Sequence, residues 1–314
     1  MEPAGVRSVS SLFAFPGQGA QQAGMLHRLP EGSAALLEEA SDTLNEQVLA
    51  LDSQQALQST RAVQLCLLLA GVAWARTLLQ RSPAPDYVAG LSIGAYPAAV
   101  TAGALAFTDA VGLVALRGEL MQRAYPQGYG MTALSGLDLA SVERLLAQVG
   151  GEVYLANLNS DNQIVIAGSD TAMAEVAARA RNRGQGVARR LAVSVPSHCR
   201  LLDGPAAELA HAFASVKINR PRITYLSGSS ARPLLDPQRL RDDLAGNMAR
   251  LVDWRATLRN AYERGVRLHL ELPPGSVLTG LARPVFEQGR VLALEQTRLD
   301  TVDALLRQEV SQRP

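Results

Sequence analysis

Apolar and polar positions change period several times along the chain, and each period predicts a different element. The apolar block 11–15 ends at Pro16-Gly17-Gln18-Gly19, too early for a helical repeat, and reads as a strand running into a turn. Helical spacing follows over 34–49, over 54–80 with a break, and over 93–104 and 108–125, with the short apolar stretch Tyr87-Val88-Ala89 between the second and third. Strands alternating with helices predict a mostly parallel sheet covered by helices. The middle of the chain differs. There the pattern gives a strand over 130–136, a helix over 139–148 opened by Asp138, and a hairpin of 153–158 and 163–167 around Asn159-Ser160-Asp161-Asn162. A helix over 171–183 capped by Asp170 and a strand over 187–193 complete it. Strand-helix-strand-strand-helix-strand is the order of a ferredoxin-like unit, compact enough to be inserted in a larger domain. Helix and strand then resume, with a strand over 268–272 ending in Pro273-Pro274-Gly275. The expected class is α/β: a large subdomain from 1–128 and 194–314, and an inserted ferredoxin-like subdomain over 129–193.

Composition narrows the function. A chain of 314 residues with 47% apolar content has enough material for one large core and a smaller one. A net charge of +1 gives no global attraction to nucleic acid or membrane, and neither is expected as a partner. Cys66 and Cys199 are too few for a disulfide framework, and the start of the chain lacks a basic segment followed by a long apolar one and a cleavage site. A cytoplasmic location is expected. The longest apolar run, 65–75, stops at Arg76, too short to cross a bilayer, and reads as a buried helix. Four scattered histidines without paired-ligand spacing argue against a metal site.

Three residues carry the candidate chemistry. Ser92 lies in Gly90-Leu91-Ser92-Ile93-Gly94, between an apolar stretch and a helix-compatible run, the arrangement of a nucleophile elbow. Its glycines suit a turn in which neighbouring backbones come too close for side chains, and the helix start near Ile93 aims N–H groups toward the serine. Arg117 stands among Leu113, Val114, Leu120 and Met121 in the apolar stripe of its helix. A guanidinium there needs an anion: an acidic side chain of the protein, water reached by a snorkelling stem, or a substrate carboxylate held through two parallel hydrogen bonds. A serine nucleophile needs a base, and His198 follows a strand in the loop Ser194-Val195-Pro196-Ser197-His198-Cys199, whereas His27, His211 and His269 have ordinary structural settings. No acidic third member is evident, which leaves a backbone carbonyl to orient the histidine.

Six segments in order then resemble the malonyl-CoA:acyl carrier protein transacylase family. They are Phe15-Pro16-Gly17-Gln18-Gly19-Ala20-Gln21, the elbow, Arg117-Gly118-Glu119-Leu120-Met121-Gln122, Asn157-Leu158-Asn159-Ser160, Val195-Pro196-Ser197-His198-Cys199 and Pro274-Gly275-Ser276-Val277-Leu278-Thr279-Gly280-Leu281. The resemblance implies an α/β-hydrolase-like large subdomain, with Ser92 as nucleophile, His198 as base and Arg117 as carboxylate clamp. It also implies the backbone N–H groups of Gln18 and Ile93 as an oxyanion hole, and Met121, Asn157 and Asn247 as substrate-binding positions. Leu91 and Ala95 depart from the family's usual histidine and glutamate, and Asn247 from a frequent glutamine. Gly-Leu-Ser-Ile-Gly-Ala-Tyr-Pro and the segment Tyr125-Pro126-Gln127-Gly128-Tyr129-Gly130-Met131 are similar to the epsilon subunit of malonate decarboxylase, a specialised branch.

What this implies is malonyl transfer from malonyl-CoA through a Ser92 ester to a thiol on the prosthetic arm of a small carrier protein. No cofactor is expected to be held permanently. In the decarboxylase branch the transfer primes that enzyme's carrier subunit, and its other subunits become partners. The alternative is the transacylase of fatty acid or polyketide synthesis, and beyond it stand a serine thioesterase and a non-catalytic assembly subunit. Arg179, Arg181, Arg183, Arg189 and Arg190 offer either a basic rim for an acidic carrier or a solvated helix face and strand end.

Overall fold

Short apolar blocks bounded by Gly, Pro and Ser cannot complete helical turns and pair as strands. In the computed structural model, which describes residues 10–182 and 186–311, they build two sheets. The first part of the chain supplies β1 (Ser10–Phe15), α1 (Ala34–Leu44), α2 (Thr60–Arg81), β2 (Tyr87–Gly90), α3 (Ala95–Thr101) and α4 (Phe107–Ala124). Then come β3 (Tyr129–Ser135), α5 (Leu139–Val149), β4 (Val153–Ser160), β5 (Gln163–Ser169), α6 (Asp170–Asn182) and β6 (Val187–Arg190). The rest is α7 (Asp203–Phe213), β7 (Thr224–Leu226), β8 (Pro233–Leu234), α8 (Pro237–Gly246), β9 (Val252–Asp253), α9 (Trp254–Glu263), β10 (Val266–Glu271), α10 (Val277–Ala282), β11 (Arg290–Ala293) and α11 (Leu299–Ser311).

The large sheet has the order β11-β10-β1-β2-β7-β8 and is parallel except for β8. Its central strand is apolar on both faces, as helix-covered parallel strands must be. Phe13 and Phe15 pack into one core with Leu65, Leu68 and Leu69 of α2, and Leu12 and Ala14 into a second with Trp254 and Leu258 of α9. The chain therefore has the α/β class expected of it, with a mostly parallel sheet.

The small sheet runs β6-β3-β5-β4-β9. Its first four strands are antiparallel in ferredoxin-like order, and α5 and α6 cover one face through Val142, Leu145 and Val176 packed on Leu134, Ile164 and Ile166. Asp138 caps α5 by accepting the Ser141 N–H at 2.8 Å. A fifth strand comes from elsewhere: β9 pairs in parallel with β4, Asn157 opposite Val252 and Leu158 opposite Asp253. This joins the small sheet to the segment that leads into α9.

Several predicted bounds shift. The helix over 34–49 ends at Leu44, where Asn45 turns left-handed at φ 52°, and Val48–Asp52 forms a separate tight turn. Extended backbone at Ser59 delays the next helix to Thr60. The helix over 93–104 is split into a tight turn at Ser92–Gly94 and α3, and the strand over 187–193 stops at Arg190. Arg183, the last residue of the helix expected over 171–183, lies outside the described residues. The apolar run 65–75 belongs to a 22-residue helix that is long and apolar enough to span a bilayer, yet 78% of its most apolar window is buried in this fold. It is the core helix over which β1 and α4 pack.

Candidate active site

Ser92 sits where β2 turns into the tight turn before α3, in the left-handed region at φ 56°. The neighbouring glycines are steric necessities: a Cβ on Gly90 would lie 1.9 Å from the Gly94 carbonyl carbon, and one on Gly94 would lie 2.2 Å from the Phe15 carbonyl oxygen. The Leu91 N–H donates to the Phe15 carbonyl at 3.0 Å, and a Cβ on Gly17 would lie 2.8 Å from the Leu91 oxygen. The turn holding Gln18 is thereby pressed against the elbow, where Ile93 opens the helical turn.

His198 also has left-handed backbone, at φ 65°, and its N–H donates to the Met248 carbonyl at 2.6 Å. Nε2 lies 2.8 Å from Ser92 Oγ, while Nδ1 faces the carbonyl oxygens of Asn247 at 2.8 Å and Arg250 at 3.2 Å. Carbonyls only accept, so Nδ1 carries the ring hydrogen and Nε2 presents a lone pair to the serine hydroxyl. Burial pushes the imidazole pKa down to about 4, the Arg117 cation adds to this, and the two carbonyls oppose it. At neutral pH the ring is an unprotonated base.

Arg117 is 1% exposed, and among the described residues no carboxylate pairs with it. Among the described residues Arg117 therefore has neither the buried ion pair nor, at 1% exposure, the snorkelling stem. Nη1 donates to Gln64 Oε1 at 2.6 Å, and Nη2 to Asn247 Oδ1 at 3.1 Å and to Ser92 Oγ at 3.4 Å. The Tyr96 ring lies 6.0 Å from the guanidinium carbon. Burial lowers the Arg117 pKa, yet a guanidinium starts so high that it stays charged. Among the described residues the buried cation is thus held by neutral oxygens, and its charge is not neutralised by the protein.

Asn247 touches all three groups: its amide donates to the Ser92 carbonyl at 3.2 Å, its side-chain oxygen accepts from Arg117, and its backbone carbonyl faces His198. Met121, one turn beyond Arg117, accepts at Sδ from Gln64 Nε2 at 3.3 Å. Asn157 is buried in β4, has no partner for Oδ1 among the described residues, and forms no hydrogen bond to Ser92, His198 or Arg117. The other histidines lie elsewhere: His27 against Asp52 at 3.1 Å, His211 on α7, and His269 buried in β10. Of the basic residues, Arg179 pairs with Glu175 and Arg190 with Asp170. Sequence reasoning missed Gln64 and Tyr96. The signal for Gln64 was an amide at the head of the buried apolar stretch of α2.

The family described as "Acyl transferase domain" matches residues 12–307. The "Malonyl CoA-acyl carrier protein transacylase" of Haemophilus influenzae is 38% identical over 284 residues, covering 87% of this chain and 91% of that protein. A crystal structure of FabD from Acinetobacter baumannii superposes with a TM-score of 0.89 at 35% identity, covering 98% of this chain and all of that one. A malonyl-transacylase solved in complex with its type II polyketide synthase acyl-carrier protein gives 0.88 at 34% identity, over 97% of this chain and all of that one. With a family match across nearly the whole chain, this protein is an acyltransferase and belongs to the acyl transferase domain family.

Proposed function

We propose that the protein transfers the malonyl group from malonyl-CoA to the arm thiol of an acyl carrier protein, through an ester on Ser92. The observation that carries this reading is the buried Arg117 guanidinium, 3.4 Å from Ser92 Oγ and without an acidic partner among the described residues. A malonyl carboxylate supplies the missing anion and places the thioester carbonyl beside the serine.

In this reading His198 Nε2 takes the hydroxyl proton as Ser92 Oγ bonds to the thioester carbon. The carbonyl oxygen gains the electron pair and rests on the Gln18 and Ile93 N–H groups. The C–S bond then breaks, CoA leaves as a thiol with the proton from His198, and malonyl-serine remains. The carrier thiol gives its proton to His198, attacks the ester, and regenerates the serine. Met121, Asn157 and Asn247 line the acyl and arm path, and 129–193 is the inserted unit that walls it.

The relatives favour a carrier of fatty acid or polyketide synthesis over the decarboxylase reading, since those named above are acyl carrier protein transacylases. The elbow Gly-Leu-Ser-Ile-Gly-Ala-Tyr-Pro and the segment 125–131 are the features that keep the decarboxylase branch in play. The free thiols Cys66 and Cys199, both buried, support a reducing, cytoplasmic setting. Offering the malonyl-loaded protein purified carriers of each kind tests the choice: transfer to the synthase carrier is expected, and transfer only to the decarboxylase carrier contradicts it.

A further inference from the structure

Gln64 lies in α2 within a stretch where every residue from Ala62 to Ala73 is buried. An amide in such a place is costly unless hydrogen-bonded. Its oxygen has a strong partner, Arg117 Nη1 at 2.6 Å, but its nitrogen reaches only the weakly accepting Met121 Sδ at 3.3 Å. The single strong bond of this buried side chain is therefore the one to the guanidinium. For gripping an arginine a glutamate of the same shape is better, because a charge-assisted bond is about twice as strong as a neutral one. A glutamate would also discharge the arginine, and an arriving carboxylate would meet a completed ion pair and a like charge. The other acceptors around Arg117, Asn247 Oδ1 and Ser92 Oγ, are neutral as well, and Arg117 Nε has no partner among the described residues.

We propose that Gln64 is a specificity-determining residue: its neutral amide fixes the Arg117 guanidinium beside Ser92 while leaving its positive charge free to select acyl groups that carry a carboxylate. The proposal rests on the malonyl-serine reading above and adds a residue that reading does not contain. Selectivity belongs to the Gln64–Arg117 pair, and replacing the amide by a carboxylate removes it without touching the arginine, the serine or the histidine.

The test is the rate and extent of Ser92 loading from malonyl-CoA and from acetyl-CoA, read by intact mass, in wild type, Gln64→Glu and Gln64→Met. Gln64→Glu is expected to lower the malonyl-to-acetyl ratio roughly tenfold or more, as a pocket that already holds its own carboxylate must. An unchanged ratio, or both rates falling in parallel as a purely structural role would give, overturns the proposal. Should Gln64→Glu fail to fold, Gln64→Met decides. It fills the volume and keeps the arginine charged but without its Nη1 partner, so KM is expected to rise for malonyl-CoA and not for acetyl-CoA; equal shifts overturn the proposal. Calorimetry of malonyl-CoA on Ser92→Ala protein, with and without Gln64→Glu, separates this proposal from the underlying one. Weaker malonyl-CoA binding in the double variant supports the Gln64 role even where no ester forms, and equal binding overturns it.

Discussion

His198 Nε2 stands 2.8 Å from Ser92 Oγ across 106 residues of sequence, and both residues occupy left-handed backbone, at φ 65° and 56°. Such conformations are uncommon outside glycine and persist where surrounding structure dictates them. Here the dictating contacts are the close-packed glycines on one side and the Met248, Asn247 and Arg250 carbonyls on the other.

With its pKa lowered to about 4, His198 is expected to set the acid limb of serine loading. Above it the ring is neutral and accepts the hydroxyl proton; below it the base is lost. Loading from malonyl-CoA is expected to stay flat from neutral pH down to about 5 and then fall. Burial is the first cause of the low value and Arg117 the second, so Arg117→Met is expected to move the limb upward, toward 6.5. A wild-type inflection at 6.5 in a pH series would count against this environment.

Arg117→Ala removes the cation that a malonyl carboxylate would meet. Malonyl loading is expected to drop about a hundredfold or more, while acetyl loading changes little, from a buried charge pair worth about 2–5 kcal/mol. Parallel kinetics with the two thioesters check this, and a retained malonyl preference would remove Arg117 from its assigned role.

Gly90→Ala places a methyl group 1.9 Å from the Gly94 carbonyl carbon, where backbone must move. We expect a stability loss of about 3 kcal/mol or more in urea denaturation, together with loss of serine loading. Gly112→Ala is the contrast. That glycine is an exposed position of α4 with nothing within 4 Å of an added Cβ, so the change is expected to stabilise by about 0.5–1 kcal/mol.

His269 is fully buried in β10, with no side-chain partner for either ring nitrogen among the described residues and its ring in an edge-to-face contact with Phe286; burial lowers its pKa to about 4 against a smaller opposing effect of its own backbone. Between about 4 and 6.5 the unfolded chain binds a proton at this position that the folded chain does not, so stability falls as pH drops through that window. His198 acts in the same direction. His269→Leu keeps an apolar side chain in the core and is expected to flatten part of the loss between pH 6.5 and 4, measured by denaturation midpoints at several pH values. An unaltered slope would show that the imidazole is protonated alike in both states.

The elbow, the arginine helix and the histidine loop were legible because each is local: a strand end, two glycines and a serine announce their own geometry. The parallel core was legible from 11–15 and 87–89, whose residues are apolar on both faces. What escaped depends on contacts distant in sequence. No local signal tells that Val252 and Asp253 extend the small sheet beside β4, since a two-residue strand exists only through its partner. The carbonyls that orient His198 leave no trace in residue types, because every residue has one. Gln64 reads as an ordinary member of an apolar helix until α4 brings Arg117 against it.

Intact mass after brief exposure to malonyl-CoA decides whether Ser92 takes a malonyl ester selected by its distal carboxylate. The expected result is a gain of one malonyl group, absent in Ser92→Ala and scarcely formed from acetyl-CoA. A protein that gains no mass while no free malonate appears, or that takes acetyl as readily as malonyl, would contradict it.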